Sequence, residues 1–547
     1  MSIPSPSAPF LALARATLGS ASSCEPLPCQ ILACLLEAQA QGLGALPLSD
    51  LTLKQLLLSG QAHSSDAAFN GTTPLMVVEG DRVMLTRTHT LRQLITSAAA
   101  TLLLRETPLP IGHEALLLSA FGPQSDGRDQ GQRDAVRGLL KSPLAILTGG
   151  PGTGKTTTAA TFLALRFAMD PSLNPEEVVL AAPTGKAAKR LEQAIREAAQ
   201  AGGRLQAAGL PCEKLVQLEA KTLHKLLAWT PKTPEQGGPF KHGKNAPLSA
   251  RIVLIDEASM IDLSLFLHLL EALPQYAQLV ILGDEDQLES VEIGGSLAEL
   301  IRSHPQAVFR LSHCYRSESL DILELARAFK PGVPKRPSWP DLQTLLQRPT
   351  LAFTNIHPFA QSLPSDLIEQ LQTEWRHFRQ TTQSIALDNP DSQRLAFSAL
   401  NSFQVLCAQN DGIGGVHSIN KLAAGSGSLF AHGTPVMVTR NERHLDLANG
   451  DLGIIVHHHP SDIARVIFPH RGPLALAQIP AHEPAWAFTI HKSQGSEFKR
   501  CAIFLPSDPD SPLLKHNLLY TAITRAKTHV RLCAPHSALS SLLKNPN

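Results

Sequence analysis

Short apolar runs, each closed by small or polar residues, recur along the chain. Leu144-Ala-Ile-Leu-Thr148, Val178-Val-Leu-Ala-Ala182, Arg251-Ile-Val-Leu-Ile255 and Gln278-Leu-Val-Ile-Leu282 are continuous, not alternating, and rich in branched side chains. That pattern predicts strands buried on both faces, as in a parallel sheet with helices between its strands. The runs end in Gly149, Pro183-Thr-Gly-Lys186, Asp256-Glu257 and Gly283-Asp-Glu-Asp-Gln287. Polar residues at the C-terminal ends of strands are where open, doubly wound α/β sheets bind ligands. Phe403–Ala408, Ala487–Ile490 and Val530–Cys533 predict strands of a second α/β unit. Between them, turn punctuation at Asn449-Gly450, Gly453, Pro460 and Arg471-Gly472-Pro473 predicts a small β-barrel. From Ala352 to about Asn401 the signals weaken. The first 115 residues are rich in Leu and Ala, with helical periodicity in Pro28–Gln41 and Leu91–Arg105. A further run, Leu51–Leu58, has Ser49-Asp50 as its cap. This reads as a helical N-terminal domain, followed by a Gly- and Asp-rich link at Gly122–Gly131. Trp229–Ser249, rich in Pro, Gly and Lys, is too long for a structureless loop and predicts a small inserted hairpin.

The run at Leu144 leads into Gly149-Gly150-Pro151-Gly152-Thr153-Gly154-Lys155-Thr156, and helical composition resumes at Thr157. Strand, glycine turn and helix are the context a phosphate-binding loop needs. Glycines let successive N–H groups turn around an anion, and the helix N-terminus adds its positive dipole end. Lys155 would reach the β- and γ-phosphates of ATP, and Thr156 would hold Mg²⁺. Asp256-Glu257 has the place of a Walker B pair. Its aspartate would hold the metal, and its glutamate would orient and deprotonate the attacking water. Gln287 could sense the γ-phosphate or position that water. Arg316 and Arg525 are candidate arginine fingers, although either alone could be an ordinary salt-bridge partner. Gln132 opens a helix ahead of the loop and could read the adenine edge; an ordinary exposed glutamine is the alternative.

At 547 residues the chain should make about three or four domains of ~150 residues. With 43% hydrophobic residues and a net charge of +1, no basic excess coats the surface. A nucleic-acid site must therefore be a local groove. No apolar run is long enough for a membrane span, and no signal-like start is seen, so a cytoplasmic location is expected. Of eight cysteines only Cys24, Cys29 and Cys34 cluster, at a spacing that suits buried thiols better than zinc.

The order of these pieces resembles the superfamily 1 helicases, and most closely the RecD family, the alpha subunits of exodeoxyribonuclease V. The resemblance runs from Gln132 to about Ala534. It passes through Gly149–Thr156, Pro183–Arg190, Lys221-Thr-Leu-His-Lys-Leu-Leu227, Leu254-Ile-Asp-Glu-Ala-Ser-Met260, Gly283–Glu292 and Tyr315-Arg316. It continues through Gly433–Asn441, Asn449–Gly453, Trp486–Glu497 and Leu519–Lys527. The resemblance implies an ATP-dependent 5′→3′ DNA helicase in which ATP and Mg²⁺ sit between two RecA-like lobes. Gln132 and Gly149–Thr157 would bind nucleotide (Gly149, Gly150, Pro151, Gly152, Thr153, Gly154, Lys155, Thr156, Thr157), with Thr156 and Asp256 on the metal. Lys155, Asp256, Glu257, Gln287, Arg316 and Arg525 would be catalytic. Thr184, Lys186, Thr222, His224, Thr489, His491 and Gln494 would line a single-strand groove. The implied domains are an N-terminal partner-docking domain at 1–115 and a first lobe at 125–335, with a duplex-splitting pin at 229–249. The second lobe would be 336–429 and 486–547, with an SH3-like insertion at 430–485. RecB-like and RecC-like chains would be partners in double-strand break repair and recombination. No separate nuclease carboxylate cluster is evident, which fits a nuclease carried on another chain. Two other readings stand beside this one: a stand-alone RecD-like helicase, and a DNA-binding scaffold subunit with a decayed ATPase. The first usually carries a longer N-terminal region with helix-hairpin-helix signals, which are not seen here. The second sits poorly with an intact catalytic set.

Overall fold

The computed structural model describes residues 10–11, 14, 26–40, 45–47, 52, 56, 62–64, 75–105, 107, 109, 112–121, 129–200, 203–230, 239–288, 295–315, 320–333, 335–357, 360–383, 385–425, 427–457, 463–469, 471–508, 511 and 513–544. They form two compact units. The first draws on 1–183, 187–285 and 289–313; the second on 184–186, 286–288 and 314–547.

The N-terminal part of the first unit corrects the expectation of a helical domain. It holds helices Pro26–Ala40 and Thr86–Leu103, but also β1 (Leu46–Pro47), β2 (Ala62–Ser64), β3 (Met76–Glu79) and β4 (Arg82–Leu85). These make a sheet of order β1-β4-β3-β2. β3 and β4 form an antiparallel hairpin closed by the Glu79↔Arg82 pair, with Gly80 at φ +60° in the turn. The strands are only four residues each, so a helical window averages them away, whereas Met76-Val-Val and Val83-Met-Leu are continuous apolar runs that carry valine. Of Ser49–Leu58, only Thr52 and Leu56 are described, both helical. Most of the Gly122–Gly131 link lies outside the described residues, as does Cys24; Cys34 is buried, and its thiol is pushed up by burial.

The rest of the first unit is built on six parallel strands. They are β5 (Leu144–Gly149), β6 (Val178–Ala182), β7 (Ala220–Thr222), β8 (Ile252–Ile255), β9 (Gln278–Gly283) and β10 (Val308–Leu311), in the order β10-β5-β9-β8-β6-β7. Residues 144–147 and 252–255 have no exposed surface, because helices cover both faces and each face has its own apolar cluster. Between Trp229 and Ser249, residues 231–238 lie outside the described set. What is described of the expected hairpin is two isolated antiparallel bridges, Trp229↔Phe240 and Gly243↔Ala246. Pro239 and Pro247 have no N–H with which to extend a ladder.

In the second unit, β11 (Leu351–Asn355) and helices Ser365–Thr382 and Pro390–Leu400 occupy the stretch where sequence signals were weak. β12 (Phe403–Cys407) follows. Then come β13 (Pro435–Val438), β14 (Leu452–Val456), β15 (Arg465–Phe468), β16 (Arg471–Ala475) and β17 (His482–Pro484), then β18 (Ala487–Thr489), β19 (Phe498–Phe504) and β20 (Ala526–Ala534). Strands β11-β20-β19-β12-β18 make a parallel sheet. Strands β16-β15-β14-β13-β17 make an antiparallel sheet with its own core around Val436, Val438, Ile455 and Val466. Among the described residues no helix is long and apolar enough to cross a membrane.

Candidate functional site

The Gly149–Thr156 loop turns sharply from β5 into the Lys155–Met169 helix. Gly152 and Gly154 sit at φ +75° and +80°, the left-handed region that L side chains avoid. A Cβ on Gly149 would lie 2.7 Å from the Leu311 carbonyl oxygen and 2.9 Å from Thr153 Oγ1, so β10 admits only glycine there. The Thr153 hydroxyl donates to the Gly150 carbonyl at 2.8 Å, and that of Thr158 to Gly154 at 2.8 Å, bracing the turn from inside. Lys155 Nζ lies back across the loop, donating to the Gly149 carbonyl at 2.5 Å and to Gly150 at 3.2 Å. Thr156 is half-buried in the first helical turn, and Thr157 is exposed. Gln132 is buried, not an ordinary surface glutamine; its Nε2 donates to the Thr153 carbonyl at 3.3 Å.

Asp256 directly follows β8, two strands from β5 and at the same end of the sheet. Its backbone N–H donates to Ala181, and its carboxylate accepts the Glu257 N–H at 2.8 Å. Burial first, then the neighbouring Glu257 charge, hold the Asp256 carboxyl well above the usual carboxylate range. The Glu257 N–H, the Lys155 ammonium and the Arg190 guanidinium pull it back. Negative charge held under such strain, in a set of hard oxygen donors with the Thr156 hydroxyl, fits a divalent cation such as Mg²⁺.

Three features here escape sequence reading. Glu257 adopts φ +53°, a left-handed backbone costly for a side chain with a Cβ, which stores strain directly beside Asp256. Arg190 acts electrostatically on Asp256; its only signal was a basic residue one turn beyond Lys186. Thr148 Oγ1 accepts the Glu285 N–H at 3.4 Å, tying the end of β5 to the segment after β9.

In the second unit, several predicted residues come together. Lys186 Nζ donates to Ser496 Oγ at 2.6 Å, and Gln494 Nε2 donates to the Leu288 carbonyl at 3.0 Å. Gln287 is buried beside Leu288, whose N–H donates to Thr521 Oγ1 at 2.9 Å. Arg525 is 3% exposed; its Nε donates to the Thr521 carbonyl at 3.1 Å and its Nη1 to the Ser496 carbonyl at 3.2 Å. Thr489 Oγ1 accepts the Lys492 N–H at 3.4 Å, and Thr184 is half-buried. His491 is half-buried, and burial, helped by Lys515, lowers its pKa, so it is a neutral donor and acceptor at neutral pH. In the first unit, Thr222 caps a short helix by accepting the Lys225 N–H, and His224 is exposed against the rings of Trp229 and Phe240. Arg316 lies outside the described residues.

Residues 132–292 match the family model of an AAA domain, and residues 484–533 that of a UvrD-like helicase C-terminal domain. The RecBCD enzyme subunit RecD of Mycolicibacterium smegmatis is 35% identical over 430 residues, covering 76% of this chain and 72% of that protein. The chain belongs to the RecD family of superfamily 1 helicases. Within that family's wider reach, the ATP-dependent RecD2 DNA helicase of Deinococcus radiodurans is 29% identical over 407 residues, 73% of this chain and 48% of that protein. Among solved structures, a Bacteroides Pif1 bound to single-stranded DNA aligns over 74% of this chain and 91% of its own, at 18% identity and a TM-score of 0.39.

Proposed function

We propose that this RecD-family helicase uses ATP hydrolysis to move 5′→3′ along single-stranded DNA as a cytoplasmic subunit of a RecBCD-type exodeoxyribonuclease V. RecB-like and RecC-like chains are its partners, and double-strand break repair and recombination its setting. The observation that carries this is a braced phosphate loop and an acidic pair at the same end of one parallel sheet, in a chain 35% identical to a RecD subunit. In this reading Gln132 faces the adenine, Gly149–Thr157 cradle the phosphates, and Lys155 turns from its loop carbonyls to the β- and γ-phosphates. Thr156 and Asp256 hold Mg²⁺, which neutralises charge on the phosphate oxygens. Glu257 takes the proton of the attacking water. Gln287, Arg316 and Arg525 respond to the γ-phosphate, and Thr184, Lys186, Thr222, His224, Thr489, His491 and Gln494 hold the strand. The antiparallel sheet within 430–485 serves as an SH3-like insertion, 229–249 as a duplex-splitting pin, and 1–115 as the partner-docking domain. The two lobes take 125–335 and, together, 336–429 with 486–547.

The test is ATP turnover with and without single-stranded DNA, unwinding of duplexes with a 5′ or a 3′ tail, and co-purification from the native cell. DNA-stimulated turnover, unwinding from the 5′ tail and RecB- and RecC-like partners are expected. Unwinding without partners would leave the stand-alone helicase, and binding without turnover the scaffold.

A further inference from the structure

We infer that the first unit carries a second anion site, at the end of its sheet opposite the phosphate loop. Its ligand is compact, bearing a phosphate or carboxylate next to a hydroxyl or amino donor. A cleft of about 760 Å³ opens there, within the range of small-molecule sites. Its floor is where strands begin: Pro143 precedes β5, Glu177 precedes β6, Arg251 precedes β8, and Gln278 starts β9. The phosphate loop and Asp256 lie at the ends of the same strands, so the two places do not overlap.

Three guanidiniums, of Arg105, Arg166 and Arg251, line the cleft against the two carboxylates of Asp170 and Glu177. Both carboxylates face Arg251, at 2.5 Å and 3.9 Å. Arg105 donates to the Pro274 carbonyl at 3.3 Å, which satisfies an N–H but neutralises nothing. The remaining cation is Arg166, and among the described residues its Nε is buried without a hydrogen-bond partner. Burial and the like charge of Arg251 destabilise the charged form of this guanidinium, and Asp170 offsets them only in part. Even with the half-charge at the C-terminus of the Lys155–Met169 helix, the described residues of the cleft are net positive. A self-contained ion-pair knot would match its charges; among the described residues this one leaves a guanidinium over, and such a charge gains from an incoming anion.

Two other features define the ligand. Gln278 is 4% exposed and spends its Nε2 on the Leu139 and Ser142 carbonyls at 2.6 and 2.7 Å. Its Oε1, buried and without a partner among the described residues, accepts from a donor on the ligand. Tyr276, 69% exposed, provides a ring at the lining of the cleft.

The experiment is calorimetric titration of the full chain with pyrophosphate and, separately, with citrate, in wild type, Arg166→Met and Lys155→Gln, each checked by thermal melting. The phosphate loop also takes pyrophosphate, so wild type should bind two equivalents and each variant one. If the ligand group is a carboxylate, citrate binds instead, tenfold or more weaker in Arg166→Met and unchanged in Lys155→Gln. Arg166→Lys, which keeps the charge, should retain binding. Should Arg166→Met fail to fold, Arg105→Met gives the same readout. A wild type with no anion site outside the phosphate loop, or an Arg166→Met protein that binds both anions as wild type does, overturns the inference.

Discussion

Each parallel sheet contains a strand, a glycine-rich loop and a helix, and the two loops use their donors differently. After β5 the loop runs Gly149–Gly154; after β12 it runs Gln409-Asn-Asp-Gly-Ile-Gly-Gly415 into the Val416–Ala424 helix. Both loops use left-handed glycines, Gly152 and Gly154 in one and Gly412 in the other. The second loop consumes its own donors. Val416 N–H goes to the Gln409 carbonyl at 3.2 Å, His417 N–H to Asn410 at 3.0 Å, and the Ser418 hydroxyl to Gly412. Its remaining glycines allow tight packing: a Cβ on Gly414 would lie 2.8 Å from the Phe504 ring, and one on Gly415 2.4 Å from the Asp411 carbonyl oxygen. In the first loop, among the described residues, the first helical N–H taken by a loop carbonyl is that of Thr158, on Gly154. The N–H groups before it remain for an anion, and the helix that follows opens on Lys155 where the second opens on Val416. The fold supplies the turn; how its donors are used decides whether the turn binds phosphate.

The comparison breaks most completely at Lys155. Lys155→Gln should abolish ATP hydrolysis and leave the melting temperature unchanged; near-wild-type turnover, or an unfolded protein, would sink the assignment. Next in size is Arg525→Ala, which tests what the second sheet contributes in place of a cradle. As an arginine finger it should cost about 10³-fold in turnover with nucleotide affinity kept. A lower melting temperature with unchanged turnover would make Arg525 a brace between the Thr521 and Ser496 carbonyls instead. The sharpest pairing sets Gly154→Ala against Gly412→Ala. Each places a Cβ in a left-handed conformation at about 1–2 kcal/mol. Gly154→Ala should weaken nucleotide binding roughly tenfold, whereas Gly412→Ala should lower the melting temperature alone; equal losses of affinity would mean the loops are not as different as described. Smallest is Asp411→Ala, which removes a hydrogen bond with His417 at 2.9 Å, between side chains that are 89% and 72% exposed. Denaturant unfolding should move by less than about 0.5 kcal/mol.

Much of the first sheet was legible because buried parallel strands need continuous apolar runs. Val178–Ala182 has the bounds read from sequence, and the other three differ by one residue at one end. The phosphate loop was legible for a related reason: left-handed turns and a cation at fixed spacing leave few residue choices. What escaped depends on contacts distant in sequence. Gln132 looks like any polar residue at a helix start until Thr153, twenty-one positions on, is packed against it. The backbone of Glu257 carries no compositional mark, since the residue type that pays the strain is the one the chemistry needs. The short strands β3 and β4 were missed because the surrounding Leu- and Ala-rich sequence favours a helical reading. The stretch before Asn401 is weak in sequence because its helices are amphipathic, and the Asn389 cap with Pro390 behind it is the local mark of the second.

The sheet order of the first unit also sets a timetable. β5 starts at Leu144, but its two neighbours start at Gln278 and Val308. At ~5–20 residues per second of synthesis, the ribosome needs roughly 7 to 27 seconds to reach the first of them, and longer for the second. Through that interval β5, buried along almost all of its length in the finished sheet, has no partner on either edge, a state prone to pairing with other chains. Expression at lower temperature, or with more chaperone, should therefore raise the yield of folded protein more than any single surface substitution.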